Sequence, residues 1–370
     1  MTQYFTPVAI AFLVSLTLLL VLRPVAFSLG LLDVPGGRKT HSGEVPVIGG
    51  LAMFLASLAS ISAVGLSGPG EVALLVAAAL MVLVGALDDR FDLPPYTRIL
   101  AHIAAAVTLV LASGFTVESF GDLLGFGAIG LGPVDLMFTI VAAIALINGF
   151  NMLDGLDGLA GGVAFVALAG LATYFIGAGQ AHAAVVALSL VGAISGFLVF
   201  NLPAKFNRPV LAFMGDAGST YLGFALAGIS LIAIQPTGEG LPPVVILWLL
   251  PVPVLELFTS TIRRAVTGLS PMQADRGHFH HRLLDAGFSV RAIFLIYLLV
   301  SSISAVCGLL LWRAGVSEAV LFYAFAGLCS VWLLFTRNAK QLVAMLPASL
   351  RRGHLPRLRR AQRAEGSRKA

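Results

Sequence analysis

The acids and histidines of this chain gather in four short islands. They are Asp88-Asp89, Asp154-Gly-Leu-Asp157, the Gly215-Asp216-Ala-Gly-Ser219 turn and His278-Phe-His280-His281. Adjacent carboxylates repel each other, and the end of a helix is the wrong pole for negative charge, so Asp88-Asp89 calls for a metal or another cation. Asp154 and Asp157 would share a face if helical, and the glycines around them allow a sharp turn or a close approach to a ligand. Asp216 opens an apolar run, where helix capping alone would explain an Asp. Beside four other carboxylates it becomes a candidate ligand. Oxygen donors without clustered cysteines favour a hard cation, Mg²⁺ or else Mn²⁺. Mg²⁺ binds through one or two carboxylates plus substrate phosphates, which points to a phosphate-bearing substrate.

The segment 263–290 mixes Arg263, Arg264, Arg276 and Arg282 with His278, His280 and His281. Three histidines in four residues could hold zinc, yet no acids or thiols of a zinc site adjoin them. Among arginines they read as donors to phosphate or sugar hydroxyls. Gly-Gly-Arg38-Lys39-Thr-His41 is a second basic, glycine-rich candidate for anion binding. His102, His182 and Glu256 lie within apolar runs and read as packing or interfacial residues.

Such islands can meet only if the apolar stretches between them return to one face. With 58% hydrophobic and 11% charged residues and a mean hydropathy of +0.96, the chain reads as an all-α polytopic membrane protein. About eleven spans follow, near 4–27, 48–66, 71–87, 97–115, 134–152, 159–177, 182–201, 217–235, 241–262, 291–313 and 317–336. The first lacks a basic flank and reads as a retained span. Cys307 and Cys329 lie inside spans as small apolar residues. The stretch 116–133 reads as a loop, a short hairpin or a re-entrant piece. Residues 1–336 form one catalytic membrane domain, followed by a basic tail, 337–370.

Lys and Arg set the orientation. With the N-terminus outside and the C-terminus cytoplasmic, every basic residue except Arg313 falls on the inner side, 22 of the 23. All four islands then face the cytoplasm. The tail is expected to be disordered and to lie against anionic lipid. Positive-inside topology accounts for its charge, and nucleic acid is not an expected partner.

At this point the residues resemble a known family, the polyprenyl-phosphate N-acetylhexosamine-1-phosphate transferases, in the branch that uses N-acetylglucosamine and is related to the muramyl-pentapeptide enzymes. The matching segments are Arg38-Lys-Thr-His41 through Pro46 to Gly49-Gly50, Leu87-Asp-Asp-Arg-Phe-Asp92, Asn148 to Asp157, Phe213 to Ser219, and Asp275-Arg-Gly-His-Phe-His-His-Arg282. The resemblance implies transfer of sugar 1-phosphate from a UDP-N-acetylhexosamine to undecaprenyl phosphate in a bacterial inner membrane, releasing UMP on the cytoplasmic side. It makes Asp88 the catalytic carboxylate, supported by Asp89. It assigns Mg²⁺ to Asp216 with Asn151, and the uracil to Asp157 and Phe213, with Asp154 nearby. Arg276, His278, His280 and His281 would hold the sugar and diphosphate, with Lys39 and His41 on the substrate too. Arg98 stands where relatives often carry a phosphate-contacting lysine. The His-Phe-His-His order disfavours a muramyl-pentapeptide donor and leaves N-acetylglucosamine first, ahead of N-acetylgalactosamine or a deoxy-amino sugar. A homodimer is compatible with this reading.

Two rivals fare worse. Asp154 to Gly158 mimics the start of a CDP-alcohol phosphotransferase motif, but the Ala-Arg and spaced aspartates that should follow are missing. A secondary transporter would place its ionisable groups at mid-membrane in repeated halves.

Overall fold

A computed structural model describes residues 2–33, 43–65, 69–202, 210–235, 240–268 and 277–344. The first helices are α1 (Thr2–Leu29), α2 (Gly49–Val64), α3 (Pro69–Phe91), α4 (Pro95–Ser113), α5 (Asp135–Leu153), α6 (Leu159–Gly177) and α7 (Ala181–Asn201). They are followed by α8 (Gly215–Ala233), α9 (Pro243–Leu249), α10 (Pro251–Thr267), α11 (Phe279–Asp285), α12 (Val290–Arg313) and α13 (Glu318–Ala344). Two short strands, β1 (Leu32–Asp33) and β2 (Val45–Pro46), pair antiparallel.

Among the described residues nine helices are long and apolar enough to cross a bilayer: α1, α3 to α8, α12 and α13. The chain is therefore an all-α polytopic membrane protein. Of the remaining expected spans, one is the shorter apolar helix α2, of 16 residues. The other, expected as one span over 241–262, is broken into α9 and α10, which meet at 92°. Pro251 causes the break. It lacks an N–H and forces Leu250 out of the helical region, to φ −119° and ψ 45°. The stretch 116–133 is an irregular loop closed by an antiparallel bridge between Ser119 and Gly130. The Asp122 N–H ties it to Glu318 of α13 at 3.0 Å.

Helices α6, α7 and α8 form the centre. Their apolar stretches are 72%, 67% and 72% buried, against 22% for α1 and 28% for α4, which turn outward to lipid. Between helices in lipid there is little hydrophobic drive, so small residues and interhelical hydrogen bonds decide the packing. Gly50 of α2 lies against the backbone of Ala217 and Gly218 in α8, where any Cβ would collide. Further along the same pair of helices, the hydroxyls of Ser57 and Tyr221 meet at 2.5 Å. This close seat fixes the N-terminus of α8, and with it Asp216, against α2 and the end of α3.

Candidate active site

Asp88 and Asp89 occupy the last turn of α3 and face different partners. Asp88, 5% exposed, accepts the Leu93 N–H at 2.8 Å and Arg98 Nη1 at 3.1 Å. Arg98, in the first turn of α4, also reaches Asp216 Oδ2 at 3.9 Å, so one guanidinium links two carboxylates. Asp89 accepts the backbone N–H groups of Asp216 and Ala217 at 2.8 and 3.2 Å. These are among the unsatisfied first amides of α8. The cap of α8 expected from Asp216 thus comes from Asp89 on another helix, and the Asp216 carboxylate is left for other work. Its Oδ1 accepts Asn151 Nδ2 at 2.5 Å, while the same amide nitrogen also donates to Ser219 Oγ at 3.2 Å.

Asp154 and Asp157 do not share a helical face. The helix α5 ends at Leu153, and both acids lie in the turn before α6. Burial, then the nearby charges of Asp216, Asp89 and Asp157, hold the Asp154 carboxyl well above the ordinary carboxylate range. Asn201 pins this turn: its Oδ1 accepts the Gly158 N–H at 2.8 Å and its Nδ2 donates to Ala212 O at 2.9 Å. A lone Asn ending an apolar run gave no sequence signal for that task. The Leu211–Met214 segment is in turn stitched to β2, with Phe213 donating its N–H to Pro46 O and accepting from the Gly49 N–H, each at 2.9 Å. In the sequence, β1 and β2 flank the basic segment that carries Lys39 and His41. Those two residues and Arg276 lie outside the described residues.

The histidines begin at the N-terminus of α11. Phe279, the odd residue in their series, packs edge-on against Trp332 of α13 at 4.6 Å and near Tyr297 of α12 at 6.2 Å between ring centres. It anchors the motif to two helices. The rings of His278 and His280 are parallel within 4° at 5.7 Å, and His281 lies 4.3 Å from His280. His280 is fully enclosed, with neither ring nitrogen hydrogen-bonded, and burial above all pushes its pKa down to about 3. It is a neutral imidazole at physiological pH. Its Nε2 lies 2.7 Å from where a Cβ on Gly155 would stand. The missing side chain lets the histidine loop meet the Asp154–Asp157 turn, and there the two ends of the site join. Beneath the loop lies Glu256, bonded to Tyr297. An ionisable group at membrane depth was its one signal; Tyr297 had none.

No three acids or histidines among the described residues close into a ready-made ion cage. The arrangement nonetheless suits Mg²⁺, which takes only one or two protein carboxylates and completes its shell with phosphate and water. Asp88, Asp154 and Asp216 crowd like charges together, and a divalent cation would relieve them. Asp216 would be its holder, with the Asn151 amide beside it.

Residues 72–234 match the family described as glycosyl transferase family 4. An undecaprenyl-phosphate alpha-N-acetylglucosaminyl 1-phosphate transferase from Yersinia pestis is 34% identical over 299 residues, 81% of this chain and 82% of the relative. The chain belongs to this family. Proteins of the same description from Escherichia coli strain K12 and Haemophilus influenzae are 33% and 32% identical. They match over 81% and 85% of this chain, and over 81% and 89% of their own lengths. The glycosyl transferase family 4 match takes in Asp88, Asp89, Asp154, Asp157 and Asp216 and stops before Glu256 and the histidines.

Proposed function

We propose that the chain transfers N-acetylglucosamine 1-phosphate from UDP-N-acetylglucosamine to undecaprenyl phosphate, at the cytoplasmic face of a bacterial inner membrane. An oxygen of the lipid phosphate attacks the sugar-linked phosphorus, the bond to the bridging oxygen breaks, and UMP leaves. Undecaprenyl-diphospho-N-acetylglucosamine remains in the membrane. The observation that carries this reading is the meeting of the two ends: carboxylates joined through Arg98, and at Gly155 a histidine loop able to hold a sugar diphosphate. The relatives' name favours N-acetylglucosamine over N-acetylgalactosamine or a deoxy-amino sugar. The one-sided distribution of Lys and Arg supports the cytoplasmic orientation.

Asp88 orients the lipid phosphate, or takes its last proton, with Arg98 balancing charge between acceptor and Asp216. Asp216 and Asn151 would hold Mg²⁺, or Mn²⁺ in its place. Bound there, the ion would supply neutralisation of the diphosphate charge, the main help phosphoryl transfer needs. Asp89 keeps α8 in place. Asp157 and Phe213 take the uracil, and Asp154 lies between them and the metal position. His278 and His281 hold the sugar and diphosphate, aided by Lys39, His41 and Arg276, while His280, expected there too, is enclosed behind them against Gly155. The basic tail rests on anionic lipid. An apolar cavity of about 370 Å³, lined by residues including Leu109, Phe138, Leu146, Leu231 and Leu257, touches none of these site residues. It suits the isoprenoid chain of the acceptor rather than the chemistry.

The test is UMP release by purified protein with undecaprenyl phosphate, Mg²⁺ and a panel of UDP-sugars. UDP-N-acetylglucosamine should be the best donor. Preference for another sugar would replace it, and transport without UMP release would overturn the reaction.

A further inference from the structure

Glu256 stands in α10, shortly after the break at Leu250, and only 1% of its surface is exposed. A carboxylate so far from water persists only where its lone pairs are met. Three groups meet this one. Tyr297 Oη donates to Oε1 at 2.5 Å, the Phe279 N–H donates to Oε2 at 3.4 Å, and His278 Nδ1 lies 3.4 Å from Oε2. The carboxylate therefore ties the start of α11 to α12. A second grip lies beside it: the Gly277 carbonyl accepts from Arg282 Nε at 3.2 Å and from Arg263, and Arg282 Nη1 donates to Thr336 O at 3.0 Å. Helices α10, α12 and α13 thus immobilise Gly277 and Phe279, the residues on either side of His278.

The nitrogen a histidine offers to a ligand is set by the bond its other nitrogen makes. With Nδ1 against Glu256, Nε2 of His278 is the atom left for a ligand. We infer that Glu256, backed by Tyr297, is a positioning residue that fixes His278 through Nδ1 and presents Nε2 to the sugar 1-phosphate part of the donor. The donor rather than the acceptor is indicated because the loop abuts the Asp154–Asp157 turn, whereas Asp88 and Arg98 lie on α3 and α4. The inference rests on the reaction proposed above.

The experiment uses the full chain in lipid nanodiscs, as wild type, Glu256→Gln, Tyr297→Phe and the double variant. It measures kcat and KM for UDP-N-acetylglucosamine, the inhibition constant of UMP and the melting temperature. UMP lacks the sugar and the phosphate attached to it, so it reports the uridine and its own phosphate alone. Glu256→Gln should lower kcat/KM for the donor roughly 10–100-fold, the cost known for losing a residue that orients a metal-binding histidine, and leave UMP inhibition where it was. Tyr297→Phe should fall in the same direction by less. The double variant should be no worse than Glu256→Gln alone, because Tyr297 acts through Glu256. Unchanged donor kcat/KM in Glu256→Gln, or parallel loss of UMP affinity, would overturn the inference and leave Glu256 a stabiliser of the fold. Should Glu256→Gln not fold, Tyr297→Phe decides: wild-type donor kinetics there overturn it equally. A wild-type protein that releases no UMP is a different failure, that of the reaction itself.

Discussion

At one end of the site the carboxylates of Asp88, Asp89, Asp154 and Asp216 act on one another, and Arg98 reaches two of them. At the other end three histidines stand on buried aromatic rings, two arginines and a carboxylate. The first end holds like charges closer than they would settle alone, using backbone amides such as those of α8 and Leu93. It suits partners that arrive charged, a cation and its phosphates. The second keeps a neutral ring, His280, dry and unpaired, and fixes His278 by one nitrogen. It suits recognition of a polar ligand by shape and hydrogen bonding. One end supplies charge for the chemistry, the other a rigid outline for the donor.

The comparison breaks most sharply at Asp88 and Asp216. Asp88→Asn and Asp216→Asn should each cut UMP release at least about a hundredfold, in line with loss of a proton-handling or charge-holding group, while melting stays close to wild type. Gly155→Ala probes the joint. A methyl 2.7 Å from His280 Nε2 must displace the ring, and a shift of that kind should raise the donor KM roughly tenfold without touching UMP inhibition. Asp89→Asn separates the neighbouring acids of α3, since the amide cannot accept both α8 N–H groups through oxygen. It should cost about 1 kcal/mol of stability, as loss of a helix cap does, with a smaller effect on rate than Asp88→Asn.

The smallest effects lie in pH dependence, where the two ends respond in opposite senses. Asp154 has a folded-state pKa raised above its ordinary 3.8, so the stability it contributes is complete below that value and is lost as pH rises. His280 has a folded-state pKa lowered from 6.5 to about 3, so its contribution is complete above 6.5 and is lost as pH falls towards 3. Melting curves in EDTA should show Asp154→Asn flattening the alkaline side and His280→Leu the acid side. The same slope in variant and wild type would mean that folding does not shift the titration of these groups.

The helical membrane fold, its apolar runs and the four islands were legible because hydropathy and rare charge are local properties of the chain. What was not legible depends on pairing across helices. Nothing near Asp89 says that it caps α8 rather than acting beside Asp88. Asn201 and Tyr297 are ordinary residues until the turn and the carboxylate they hold are brought to them. The break at Leu250 was written in Pro251 and Pro253, yet a run apolar on both sides hid it. Phe279 carries no signal of its own among the histidines, yet it is their anchor.

The most direct test of one site with two ends is UMP release from UDP-N-acetylglucosamine with undecaprenyl phosphate and Mg²⁺, compared among wild type, Asp216→Asn and His278→Ala in nanodiscs. Both variants should lose most of the activity, with UMP inhibition of the residual rate kept in His278→Ala. A wild type that releases no UMP, or full activity in either variant, would contradict the account.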